Sequence, residues 1–297
     1  MNNSIAVLHL DLFNHLDPET EFYCNTLQNH LKESHKHIER PHRHDFFMAL
    51  LVTKGSGFHD IDFNTYEVSE GSLFFMSPGQ VHSWQLSQDI EGYIFFFSQS
   101  FFDLYFADLK AKDFPFFGSI GFSRKLQISD KDFPLMKSYF VSIWQENLEA
   151  KMLKNHMIRS LISSVLISAS RLFLEQENTE SEQVSPSYLH SFQDFEKCLE
   201  TYFLENKSVN FYAEKLNISP KHLNRISQSV VGVKASEIIA RRTILEAKRM
   251  LVYLDESLVD IAFRLGFNEY PYFARFFKKQ TGYTPSEFLS LQQKHQI

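Results

Sequence analysis

Residues 265–288 read LGFNEYPYFARFFKKQTGYTPSEF and set Arg275, Lys278 and Lys279 among Tyr270, Tyr272, Phe273, Phe276 and Phe277. A guanidinium on a helix surface can fork onto a guanine edge, and an ammonium can neutralise a phosphate. Other chemically capable residues lie far upstream: His42 and His44 two apart, then His59, then His82 with Trp84. Residues i and i+2 of a strand face the same way, so His42 and His44 can both point inward. Neutral imidazoles there could ligate Zn²⁺ or Fe²⁺, or line a pocket for an organic molecule.

The elements that position the cationic residues come in two copies. AEKLNISPKHLNRISQSVVGVKASEI (213–238) aligns with AFRLGFNEYPYFARFFKKQTGYTPSEF (262–288) after one inserted residue. Ala213 and Leu216 match Ala262 and Leu265; Leu223 and Arg225 match Phe273 and Arg275; Gly232 matches Gly282. Each copy reads as a short helix with a small residue for close crossing, a tight turn and a second helix ending at glycine. Ser219 and Asn268 are expected to cap the second helices. Helix, turn and helix in this order can place the second helix in a DNA major groove. Between the copies, Lys234–Leu254 reads as one long helix whose apolar positions would pack on both. On the helix from about 270 to 280, Phe273, Phe276 and Phe277 form one stripe and are expected in the core. Arg275 falls on another face.

The histidines sit in a different kind of sequence. Residues 42–100 alternate short β-branched and aromatic runs with turn signals at Gly55, Gly57, Asn64, Gly71 and Pro78–Gly79, the pattern of a sandwich or barrel. A helix is expected around Leu135–Leu148. Ile158, Leu161, Ile162, Val165, Leu166, Ala169, Leu172 and Phe173 follow helical spacing and predict an amphipathic helix. EQENTESEQVSPS (175–187) is polar and aperiodic, as a linker would be.

Bulk properties agree with two jobs. The 297-residue chain is 43% hydrophobic, enough for full cores. Residues 201–297 hold 14 Lys+Arg against 9 Asp+Glu, a balance of +5; residues 1–200 hold 16 against 27, a balance of −11; together these make the formal charge of −6. The basic part is where a polyanion would bind. Two distant cysteines, Cys24 and Cys198, argue against a disulfide framework and for a reducing cytoplasm. No uninterrupted apolar run long enough for a membrane span is evident, so no membrane association is expected.

At 192–290 the sequence resembles the AraC/XylS family of bacterial transcription regulators. Ile261–Ala262, Gly266–Phe267, Tyr272–Phe273, Arg275, Phe277–Lys278, Gly282 and Thr284–Pro285 carry the likeness. The resemblance implies two reading helices in successive major grooves of double-stranded DNA. By position, the first would present Lys221, His222, Asn224 and Arg225, and the second Tyr270, Tyr272, Ala274 and Arg275, with Lys278 and Lys279 near phosphate. Pro271 departs from the small polar residue common there.

PHRHDFF (41–47), the segment 55–84 and GYIFFFS (92–98) resemble the cupin-type sensor domain of many such regulators. Metal-binding cupins place a Glu shortly after the paired histidines; Met48–Ala49–Leu50 stand there instead, so neither metal nor cofactor is expected. His42, His44, His59, His82 and Trp84 then line an organic-effector pocket or are ordinary rim residues of a small barrel. The expected fold class is α+β: a cupin-like β-barrel sensor (1–128), a helical dimerisation segment (129–175), a linker (176–188) and an all-α double helix-turn-helix domain (189–297). The expected function is DNA-binding regulation by a cytoplasmic homodimer, without enzymatic activity. Its partners would be a small-molecule effector and, for an activator, RNA polymerase. The alternatives are a metal-dependent cupin enzyme fused to a DNA-binding tail, and a regulator without an effector.

Overall fold

The structure is a computed structural model describing residues 6–13, 21–38, 41–106, 109–118, 123–149, 151–177 and 185–295. The described residues divide into two compact units, one within 6–118 and 123–177, the other within 185–295.

Among the described residues, ten strands build the first unit: β1 (Val7–Leu8), β2 (Phe22–Thr26), β3 (His42–His44), β4 (Phe47–Lys54), β5 (Gly57–Ile61), β6 (Asn64–Val68), β7 (Ser72–Met76), β8 (Val81–Leu86), β9 (Glu91–Phe97) and β10 (Lys125–Gln127). They form two five-stranded sheets, ordered β1-β3-β8-β5-β6 and β10-β7-β4-β9-β2. The expected barrel is therefore an open, cupin-like sandwich, because each ladder ends at edge strands instead of continuing into the other sheet. Helices α1 (Leu27–Ile38), α2 (Gln99–Asp103), α3 (Phe133–Leu148) and α4 (Lys154–Glu177) complete the unit.

Strand β4 shows why its sequence is apolar without interruption through Val52. Met48, Leu50 and Val52 share a core with Phe74, Met76, Ile94 and Phe96. Phe47, Ala49 and Leu51 belong to a second core with Phe75, Phe95, Phe97, Phe140 and Ile162. Alternation along a strand sends neighbours to opposite faces, and here both faces are covered. Helices α3 and α4, expected as a separate segment, thus share the sensor's core. α4 is also long and apolar enough by length and composition alone to cross a membrane, although Lys154, Arg159 and Arg171 interrupt its apolar run. Its Ile158, Ile162, Val165, Leu166, Ala169 and Phe173 are buried in that core.

The second unit is helical: α5 (Pro186–Tyr202), α6 (Val209–Lys215), α7 (Pro220–Val231), α8 (Ala235–Tyr253), α9 (Leu258–Arg264), α10 (Tyr270–Thr281) and α11 (Pro285–His295). The expected linker lies mostly outside the described residues, at 178–184; its ends belong to α4 and α5. Helix α8 is the expected strut and buries Ile238, Ile239, Ile244, Ala247, Met250 and Leu251. It also buries Arg242, whose guanidinium takes both Glu200 oxygens at 2.7 and 3.1 Å and Glu246 at 3.0 Å. That fork ties α5 to the strut, and the charge is compensated where it is desolvated.

Candidate nucleic-acid interface and histidine cluster

Two helix-turn-helix units stand on the strut, α6–α7 and α9–α10. In the first, Ala213 is fully buried where the helices cross. Asn217 takes a left-handed conformation (φ 54°), and Ser219 caps α7 by accepting from the His222 amide at 3.2 Å. Gly232 and Gly282 end α7 and α10 at φ 70° and 84°, where a Cβ would be strained. The second unit departs from expectation at one point. Asn268 does not cap α10; Glu269 holds the N-cap position with no side-chain bond. The inserted residue lengthens this turn, so Asn268 stands two residues before the first helical one. Pro271 in the first turn also removes one amide that would need a partner.

Exposure sorts the ten sequence-derived DNA residues into two groups. Lys221, Arg225, Tyr272, Arg275, Lys278 and Lys279 are exposed; His222, Asn224, Tyr270 and Ala274 are half-buried. Lys221 and Arg225 stand one turn apart on α7, and exposed Gln228 and Ser229, which sequence reading passed over, extend their stripe. Tyr272, Arg275 and Lys279 form the corresponding stripe on α10. Asn224 turns inward: its Oδ1 accepts from the Ala235 amide at 3.1 Å and so caps the strut. Arg225 is held in place, its Nη2 donating to His222 Nδ1 at 2.7 Å and its guanidinium 5.8 Å from the Tyr188 ring. Of the expected Phe stripe, Phe273 and Phe277 are fully buried, while Phe276 is half-buried 5.3 Å from Phe267.

The sandwich brings the upstream histidines together. Register pairs His42 with His82 and His59 with Trp84. His82 lies 4.3, 5.1 and 5.2 Å from His42, His44 and His59 between ring centres, and 5.0 Å from Trp84. His30 of α1, not singled out from the sequence, joins them 6.1 Å from Trp84 and 3.0 Å from the Tyr23 hydroxyl. Its signal was the helical spacing Leu27, His30, Leu31. All five histidines are buried, so none is a rim residue.

Burial makes four of these rings hard to protonate. Desolvation, then repulsion from His42, pulls His30 and His44 down to about 3. Burial first, and the neighbouring histidines second, hold His59 and His82 well below the ordinary range. His44 Nδ1 lies 3.0 Å from the Phe46 carbonyl, so it carries the proton and Nε2 is a bare acceptor. His59 Nε2 and His82 Nδ1 share one proton at 3.0 Å. Their outer nitrogens are then one donor and one acceptor. Those outer nitrogens, His44 Nε2 and the Trp84 indole N–H have no hydrogen-bond partner among the described residues. No three His, Cys, Asp or Glu side chains among the described residues are arranged to hold a metal ion.

A sheet sandwich with a buried polar cluster, continued by paired helix-turn-helix units with cationic stripes, defines a DNA-binding regulator with a sensor-type domain. Residues 30–180 match the AraC-like ligand binding domain, and residues 212–290 match a helix-turn-helix domain. The HTH-type transcriptional activator RhaS of Enterobacter sp. (strain 638) is 22% identical over 83% of this chain and 86% of its own. RhaR of the same strain, also an HTH-type transcriptional activator, is 19% identical over 91% and 94%. Among solved structures, ToxT from Vibrio cholerae aligns with 91% of this chain and 98% of its own at TM-score 0.41 and 14% identity. The chain belongs to the AraC family of DNA-binding transcription regulators, with an N-terminal ligand-binding domain.

Proposed function

We propose that α7 and α10 enter consecutive major grooves of one DNA duplex, which recur on a face about every 34 Å. Arg225 and Arg275 contact base edges, Tyr272 packs beside them, and Lys221, Lys278 and Lys279 meet phosphates. His222 acts by holding Arg225, and Asn224, Tyr270 and Ala274 support the helices. The observation that carries this reading is the recurrence of one exposed cationic stripe on the second helix of both units. It is tested by selecting duplexes from a random library with the full chain and footprinting them. Two protected segments about one helical turn apart are expected, with affinity falling steeply as salt rises; no enrichment refutes it.

The sandwich is the sensor. His44, His59, His82 and Trp84 recognise an uncharged effector, with His42 and His30 completing the wall. Two acceptors and two donors stand unpaired in a neutral, apolar surround, which suits a molecule whose groups both donate and accept, such as hydroxyls or amides. Effector binding shifts the population of regulator states, and so the sites occupied. Exposed Leu135, Leu148, Met157 and Ile167 on α3 and α4 supply a homodimer contact. The protein works in the cytoplasm without catalytic activity. It activates transcription through RNA polymerase, in keeping with the activator names of RhaS and RhaR.

A further inference from the structure

Helix α8 joins the two helix-turn-helix units as a rod. A unit attached along a rod can still rock about the rod's axis. The structure holds a second tie, outside that helix. Lys207, between α5 and α6, reaches a segment 58 residues away: its Nζ donates to the Leu265 carbonyl at the end of α9. The same group donates to the Leu204 carbonyl at 3.3 Å and lies 4.6 Å from the centre of the Phe267 ring. Carbonyls at a helix end carry partial negative charge without an intrahelical partner, so an ammonium suits them.

Two neighbours strengthen the tie. Gly266 (φ 76°) passes so close to Leu204 that a Cβ would sit 1.9 Å from the Leu204 carbonyl oxygen. Phe267 packs onto Tyr272, Phe273 and Phe276 of α10 at 5.7, 5.3 and 5.3 Å, so the contact is passed directly to the second reading helix. A groove of about 540 Å³ beside it is lined by Lys207, Phe267, Glu269, Tyr272 and Arg275.

We propose that Lys207 is a positioning residue for DNA recognition. It holds α10 at a set angle to the α6–α7 unit, and so sets the separation the protein accepts between its two base sequences. This rests on the reading of α7 and α10 as the elements that enter DNA. One added base pair moves the second sequence by about 3.4 Å along the axis, which a tied unit cannot follow.

The test uses full-length protein and a duplex that it selects from a random library. Binding is measured on that duplex and on versions with one base pair added or removed between the protected segments. Wild type is expected to lose at least about tenfold on either change, comparable to a mismatched base pair. Lys207→Met keeps the apolar stem over Phe267 but has no donor. It is expected to lose less than about threefold on the same changes, half a decade in affinity terms. Lys207→Arg, which can still donate to both carbonyls, restores the discrimination. A spacing penalty in Lys207→Met equal to that of wild type overturns the proposal, whatever its absolute affinity. If Lys207→Met does not fold, Lys207→Leu, which also lacks a donor, carries the same comparison. A wild-type footprint confined to one segment refutes the two-helix reading itself, and the role of Lys207 falls with it.

Discussion

Acid should unfold the sensor unit at a pH where most proteins of its size are stable, because its buried histidines cannot accept protons while folded. An unfolded histidine titrates near 6.5, whereas His30 and His44 are held at about 3 in the fold. Between those values the unfolded chain binds more protons, so the free energy of unfolding falls as pH falls. The stability these groups contribute is present above about 6.5 and is lost progressively toward 3. At 1.36 kcal/mol per unit, each histidine removes about 2 kcal/mol by about pH 5. His30 and His44 together remove about 4 kcal/mol, and His59 and His82 act in the same direction, against a typical total of about 5–15 kcal/mol. Denaturant melts at stepped pH test this through tryptophan fluorescence. Trp84 and Trp144 are the chain's two tryptophans, and Trp84 lies 5.0 and 5.3 Å from His82 and His59. His44→Phe keeps the 4.3 Å stack on Phe46 and deletes one titrating group, so its pH slope should be shallower by about one proton. An unfolding midpoint unchanged between pH 7 and pH 5 refutes the reasoning.

Arg225→Ala should cost about 1–3 kcal/mol on the selected duplex and relax preference at one base pair; equal weakening on all sequences in a binding assay shows that Arg225 touches phosphate alone. Phe273→Ala should lower unfolding free energy by about 3–5 kcal/mol, since the ring is fully buried; a wild-type melting curve contradicts its place in the core. Gly266→Ala should destabilise the helical unit by more than the roughly 1–2 kcal/mol of a left-handed alanine, because its Cβ also meets the Leu204 carbonyl; thermal denaturation by circular dichroism measures it.

Much of the helical unit was legible in the chain. Ala213, Gly232, Ala262 and Gly282 mark crossings and stops that local sterics require, and their recurrence defines the repeat before any contact is known. Asn224 was placed on the reading helix by its position in the motif; that its Oδ1 also accepts from the Ala235 amide of α8 depends on a helix beginning eleven residues later. Glu269 replaced Asn268 at the α10 cap because the inserted residue moved the helix start, and boundaries are the least certain part of a periodicity reading. In the sandwich, the pairs His42–His44 and His82–Trp84 were visible as i, i+2 spacings, but His30 sits on a helix and entered the cluster through tertiary packing alone.

The sequence by itself determined the local elements, the duplication, the charge asymmetry and the division into a strand-rich part and a helical part. These depend on propensity, periodicity and composition, which act over a few residues or add up without regard to folding. Tertiary structure decided that the sheets remain an open sandwich, that five histidines converge in one buried cluster, that Arg242 forks onto Glu200, and that Lys207 joins segments 58 residues apart. Each of these depends on the distance and shared burial of groups remote in the chain, and neither quantity exists until the chain has closed on itself.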